Sequence, residues 1–189
     1  MKLTKLALLL SVSLGLQGCV AAVVGGTAVV ANIAADPRST GTQLDDQNTE
    51  FEIIRVLQRN QQLQQQGSVT PVVYSGRVLL IGTVPTEALK ETAYNLAREV
   101  KNIIDIYNYI QVSPRISLTQ ATKDTWITSK IKSDLLLNPK VKSSRLKVIT
   151  EDGIVYLLGI VTPEQGLTAA QIASKVDGVK KVITIFFNH

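Results

Sequence analysis

Two residue types that carry much of enzymatic and metal chemistry occur once each in this 189-residue chain, as Cys19 and His189. One cysteine and one histidine cannot form a His/Cys metal cluster, and they exclude most nucleophile–histidine pairings. No intramolecular disulfide can form. Carboxylate pairs could still exchange protons, yet no Asp or Glu stands in a context that suggests a cleft. The chain therefore reads as a non-enzyme, and no cofactor is expected. The residues that stand out are the sole tryptophan, Trp126, and the lysines around it in "DTWITSKIKSDLLLNPKVKSS", residues 124–144. These types suit contact with an anionic surface, where an indole sits at headgroup depth and ammonium groups reach phosphates.

Their spacing implies a helix with two distinct faces. At the helical period, Ile127, Ile131 and Leu135 fall on one stripe suited to a core. Lys130, Ser133 and Leu137 gather around Trp126 on another side, and Leu136 borders them. With Lys123, Lys132 and Lys140 these make the candidate phospholipid-binding set. A lone tryptophan can instead pack into a core or between domains. However, Lys123, Lys130, Lys132, Lys140, Lys142, Arg145 and Lys147 fall within twenty-five residues, which favours the surface reading.

The chain opens on "MKLTKLALLLSVSLGLQGC", with Lys2 and Lys5, an apolar run from Leu6 to Leu16, and small residues before Cys19. These are the three parts of an export signal. Leu16-Gln17-Gly18-Cys19 looks like a bacterial lipobox, which implies cleavage before Cys19 and lipid on its thiol. Val20, where an Asp would signal retention at the inner membrane, implies the outer membrane. The thirty uncharged residues from Leu6 to Ala35 are also long enough to span a bilayer. Their second half is Ala, Gly and Val with adjacent glycines, so lipid anchoring is the better reading. From Asp36, "DPRSTGTQLDDQN" reads as a polar linker.

The rest is a repeat. "SGRVLLIGTV" (75–84) aligns with "DGIVYLLGIV" (152–161) at an offset of 77. Two copies of one small domain are expected, each in the order α-β-β-α-β, an α+β sandwich. First helices are expected over 49–65 and 123–137, and hairpins with turns at "YSG" and "EDG". Second helices start at Thr86 and Thr162, and closing strands cover 103–112 and 179–187. Gly82 and Gly159, at strand ends, read as sites of close packing or permissive turns. The expected organisation is a signal at 1–18, a lipidated N-terminus and linker at 19–45, and domains at 46–113 and 114–189. With only "SPRISLTQ" between them, the copies are expected to touch.

The repeated Gly-x-Val-x-Leu-x-Gly-x-Val hairpin and the segment "ASKVDGVKKV" (173–182) resemble the BON domain. Lys101-Asn102-Ile103 departs from the family's Gly-Val in the first copy. With the lipobox, the linker and the Trp-bearing helix, the chain as a whole resembles the dual-BON outer-membrane lipoproteins. That resemblance implies a protein that supports envelope integrity and binds anionic phospholipid, such as phosphatidylglycerol or cardiolipin, through its second BON domain. It implies no catalytic residues.

Charge divides the copies in the same way. Residues 45–112 carry six basic and eight acidic side chains, and residues 113–189 carry eleven and six. The first copy's helix holds Arg55 and Arg59 among Glu50, Glu52 and glutamines, without a tryptophan, and does not read as lipid-binding. Two alternatives to lipid binding stand. One is a periplasmic protein–protein adaptor anchored on Trp126 and Leu137, with envelope proteins as partners. The other is binding of a polyanion, nucleic acid or cell-wall polymer, by the basic patch; the export signal argues against nucleic acid, and one tryptophan offers no series of stacking positions.

Overall fold

The computed structural model describes Asp36 and residues 38–187. The expected signal peptide, Cys19 and His189 lie outside the described residues. The first copy runs α1 (Thr40–Arg59), α2 (Gln61–Gln66), β1 (Ser68–Tyr74), β2 (Arg77–Val84), α3 (Glu87–Arg98), β3 (Asp105–Asn108) and β4 (Gln111–Val112). The second runs α4 (Leu118–Leu137), a 3-10 turn (Ser143–Arg145), β5 (Leu146–Glu151), β6 (Ile154–Ile160), α5 (Pro163–Ser174) and β7 (Lys181–Phe187). This is the α+β order read from the sequence, twice. In each copy a hairpin pairs antiparallel, and its second strand, β2 or β6, pairs parallel with the closing strand.

Both hairpins turn through two residues of positive φ. Ser75 and Gly76 lie at 49° and 72°, and Asp152 and Gly153 at 49° and 75°. This left-handed pair matches the twist of the strands it joins. Gly82 and Gly159 are required for a different reason. A Cβ on Gly82 would lie 1.8 Å from the Ser68 carbonyl oxygen, and one on Gly159 would lie 2.2 Å from that of Arg145.

Alternation along the strands sets how the copies pack. Val73, Val78 and Leu80 face Ile53, Leu57, Ala93 and Ala97 of the first copy's helices. Their neighbours Val72, Tyr74, Leu79 and Ile81 face the other way, onto Tyr156, Leu158, Ile185 and Phe187 of the second copy. In that copy Val148, Val155 and Leu157 pack on Ile127, Ile131 and Leu135. Successive side chains point to opposite sides of a sheet, so the two sheets meet back to back and each helix layer lies outermost. Burying one such side chain contributes about 1.5–3 kcal/mol. The Lys147–Glu50 ion pair across the seam, at 3.5 Å and partly exposed, adds at most about 1 kcal/mol. Apolar burial therefore joins the domains. The expectation that the copies touch is met by a full sheet-to-sheet seam.

Several boundaries differ from the sequence reading. The closing strand expected over 103–112 forms as two short pieces, β3 and β4, interrupted where the Asn108 side chain accepts the Ile110 N–H, and the one expected from 179 begins at Lys181. Residues 40–48, read as linker, are the first turns of α1, which Ser39 caps by accepting the Thr42 N–H at 3.0 Å. Arg38 fixes this start. Its guanidinium donates to Asp36 and Asp46 and lies 4.1 Å from the Tyr74 ring centre. The expected single helix over 49–65 breaks at Asn60, whose side chain accepts the Leu63 N–H and caps α2. The second copy's first helix begins at Leu118 because Ser117 caps it, accepting the Gln120 N–H at 3.1 Å.

A cationic, tryptophan-bearing helix face as the candidate site

Helix α4 buries Asp124, Ile127, Ile131 and Leu135, the stripe expected from the sequence plus one carboxylate. Its outward side carries Trp126, 53% exposed, and Leu137, 78% exposed, with Leu136 at 41%. Lys123, Lys130, Ser133, Lys132 and Lys140 are exposed as well. Trp126, Lys130, Ser133 and Leu137 follow the i, i+4, i+7, i+11 course of one ridge, with Lys123 beside it. Because the sheets meet back to back, this ridge lies on the outer side of the second domain, away from the first.

Not all of the expected set converges. Lys132 projects from the opposite flank and shares a shallow depression with Thr125, Thr128 and Glu151. Lys140 lies past the helix end, where its backbone N–H donates to Asn138 at 3.0 Å. Lys130 is paired with Asp134 one turn on; the pair is exposed, so it leaves the ammonium available. Two residues were missed. Leu118, 89% exposed, lies five turns before Leu136 on the same flank. Its signal was the Ser117-x-x-Gln120 capping pattern, which places the helix start before Lys123. The other is Lys180, from the segment before β7, which lines a cleft with Trp126. Nothing in its local sequence marks it.

Glu151, on the Lys132 flank, shows a raised pKa because burial disfavours its charge and because Asp124 and Asp152 lie close. A carboxyl raised in the folded state holds its proton more tightly there than when unfolded. It therefore lowers stability as pH rises through and above its ordinary value of 4.5. Glu151→Gln should raise Tm at pH 7 by about 1–2 °C. The gain should vanish near pH 3, where the carboxyl is protonated in both states. Thermal melts at the two pH values check this.

A duplicated α-β-β-α-β unit with its sheets joined back to back, one outer helix acidic and the other basic, defines the class. The chain belongs to the BON-domain family, whose pattern it matches over residues 45–114 and 123–184. It is 50% identical over 184 residues to outer membrane lipoprotein DolP of Haemophilus influenzae, a match covering 97% of this chain and 95% of that protein. It is an outer-membrane lipoprotein of that kind. It is also 44% identical over 150 residues to a 21 kDa hemolysin of Actinobacillus pleuropneumoniae, covering 79% of this chain and 77% of that one. Osmotically-inducible protein Y of Escherichia coli is 37% identical over 108 residues, covering 56% of this chain and 54% of that one. Among the described residues, no helix is long and apolar enough to cross a membrane.

Proposed function

We propose that the second BON domain binds anionic phospholipid, phosphatidylglycerol or cardiolipin, through the outer face of α4, at the periplasmic side of the outer membrane. In this reading lipid on Cys19 tethers the chain, and the contact supports outer-membrane integrity. No reaction is assigned. The observation that carries the reading is the exposure of Trp126 and Leu137 on one ridge with Lys123 and Lys130 beside it. Three features of that ridge favour lipid over ordinary surface chemistry. A half-exposed indole suits the bilayer interface. Leucines at both helix ends, Leu118 and Leu137, give a helix lying flat two apolar contacts. Each lysine adds about 1 kcal/mol at an anionic surface, less at high salt. A tether raises the local concentration, so a weak contact suffices.

The test uses residues 36–189, which fold around hydrophobic clusters of their own. Trp126 is the sole indole, so its emission reports one position. Phosphatidylglycerol vesicles should shift that emission to the blue, salt should weaken the shift, and phosphatidylcholine vesicles should leave it unchanged. An emission indifferent to both vesicles would overturn the reading in favour of a protein-docking face.

A further inference from the structure

Beside α4 lies a cleft of about 570 Å³, within the usual range of about 300–1,000 Å³ for ligand sites. Ile127 and Val179 contribute its apolar lining, Trp126 gives it an aromatic wall, and Lys123 and Lys180 bring two amines to it. Gly178 keeps it open. Its φ is +87°, and a Cβ there would lie 3.2 Å from the Ile127 side chain. The first domain has the same cleft, about 480 Å³, between α1 and the segment after α3. The duplication thus supplies an internal comparison at equivalent positions.

The comparison shows charge changes in and around the cleft. Asp45, Asn48 and Glu52 line the first cleft; seventy-eight residues on stand Lys123, Trp126 and Lys130. Glu99, the residue that ends α3 and lines the first cleft, corresponds to Lys175, which ends α5. One position runs the other way, since Lys101 of the first cleft corresponds to Asp177 of the second. Of these reversals, Lys123 lines the second cleft itself, with the sole tryptophan beside it, whereas Lys130 and Lys175 stand outside its lining. The second amine in the lining, Lys180, takes the place of Ile104 in the first copy.

We propose that the second-domain cleft holds a single phosphate-bearing lipid headgroup, with its phosphate between the Lys123 and Lys180 ammonium groups and its glycerol against Trp126. This rests on the lipid-binding reading and adds to it a discrete pocket and a new residue, Lys180. In the free protein Lys180 Nζ donates to Asp152 at 2.9 Å, in an exposed pair. A phosphate competes with Asp152 for that amine. Asp152 therefore opposes binding, and removing its charge should strengthen it.

The experiment distinguishes a pocket from a surface by using monomeric lipid. Dihexanoyl phosphatidylglycerol, kept below the concentration at which it forms micelles, is titrated into residues 36–189 while Trp126 emission is followed. Dihexanoyl phosphatidylcholine and glycerol phosphate are titrated in parallel. A saturable shift with the phosphatidylglycerol monomer, a weaker one with phosphatidylcholine and none with glycerol phosphate support the pocket. Lys180→Met, which keeps the aliphatic stem, should raise the half-saturation concentration about fivefold, the weight of one lysine at such a contact. Asp152→Asn should lower it. No response to monomer, with phosphatidylglycerol vesicles still active, overturns the pocket and leaves the helix face standing. No response to either overturns both. An equal response to glycerol phosphate overturns lipid as the source, and an unchanged midpoint in both variants overturns the role of Lys180.

Discussion

Glutamate at both Lys123 and Lys130 should weaken partition onto phosphatidylglycerol vesicles about a thousandfold. Each reversal removes about 1 kcal/mol of attraction and adds a comparable repulsion, so two reversals come to about 4 kcal/mol. The effect should shrink in high salt, where the Debye length falls to about 3 Å at 1 M. The fold should tolerate both changes. Neither lysine is buried, and a like-charge neighbour for Asp134 at i, i+4 costs only a few tenths of a kcal/mol, about 0.2–0.5. Lys101→Glu in the first domain is the matched control, because it alters net charge on the far side of the two sheets. Sedimentation with vesicles measures all three proteins. Lys101→Glu carries half the charge change, so if it lowers the logarithm of binding half as much as the double reversal does, long-range charge is responsible and the face is not.

How much of this was legible in the sequence depended on which forces leave a periodic trace. Ile127, Ile131 and Leu135 are buried as their spacing required, and the outward positions of Trp126 and Leu137 followed from the same arithmetic. Burial leaves a period; pairing across the chain does not. Lys180 reaches the Trp126 cleft only because the parallel closure of β6 on β7 brings residue 180 beside α4. The start of α1 was hidden because residues 40–48 are polar, and what holds them is Arg38 clasping Asp36 and Asp46. The back-to-back seam was written more openly. "VLLI" and "VYLL" are apolar at successive positions, a pattern that marks strands covered on both faces rather than one. Helices cover only one face of such a sheet, so the other needed a partner, and the second copy supplies it.

Asp124→Ala should cost about 3–5 kcal/mol, a large part of the total stability of a small folded unit, which is about 5–15 kcal/mol. Its buried carboxylate accepts the Asp152 and Gly153 N–H groups, both at 2.8 Å. Those two residues form the left-handed hairpin turn, so the bonds hold a conformation that Asp152 adopts only under constraint. Asp46 makes the same pair of bonds to Ser75 and Gly76, at 2.7 and 2.8 Å. Asp46→Ala should cost as much or more, because it also takes one of two carboxylates from Arg38. Urea denaturation of both variants checks the magnitudes, and a loss below about 1 kcal/mol in each would refute the turn-holding role. The two variants should part company in lipid binding. The Asp124 turn leads directly to the cleft, because the Lys180 backbone N–H donates to the Gly153 carbonyl at 2.8 Å. Loosening that turn releases Lys180 from its place, whereas the Asp46 turn lies in the other domain. At equal loss of stability and with both variants still folded, Asp124→Ala should bind phosphatidylglycerol more weakly than Asp46→Ala. Stability alone cannot produce that difference, so it would tie the turn to the site.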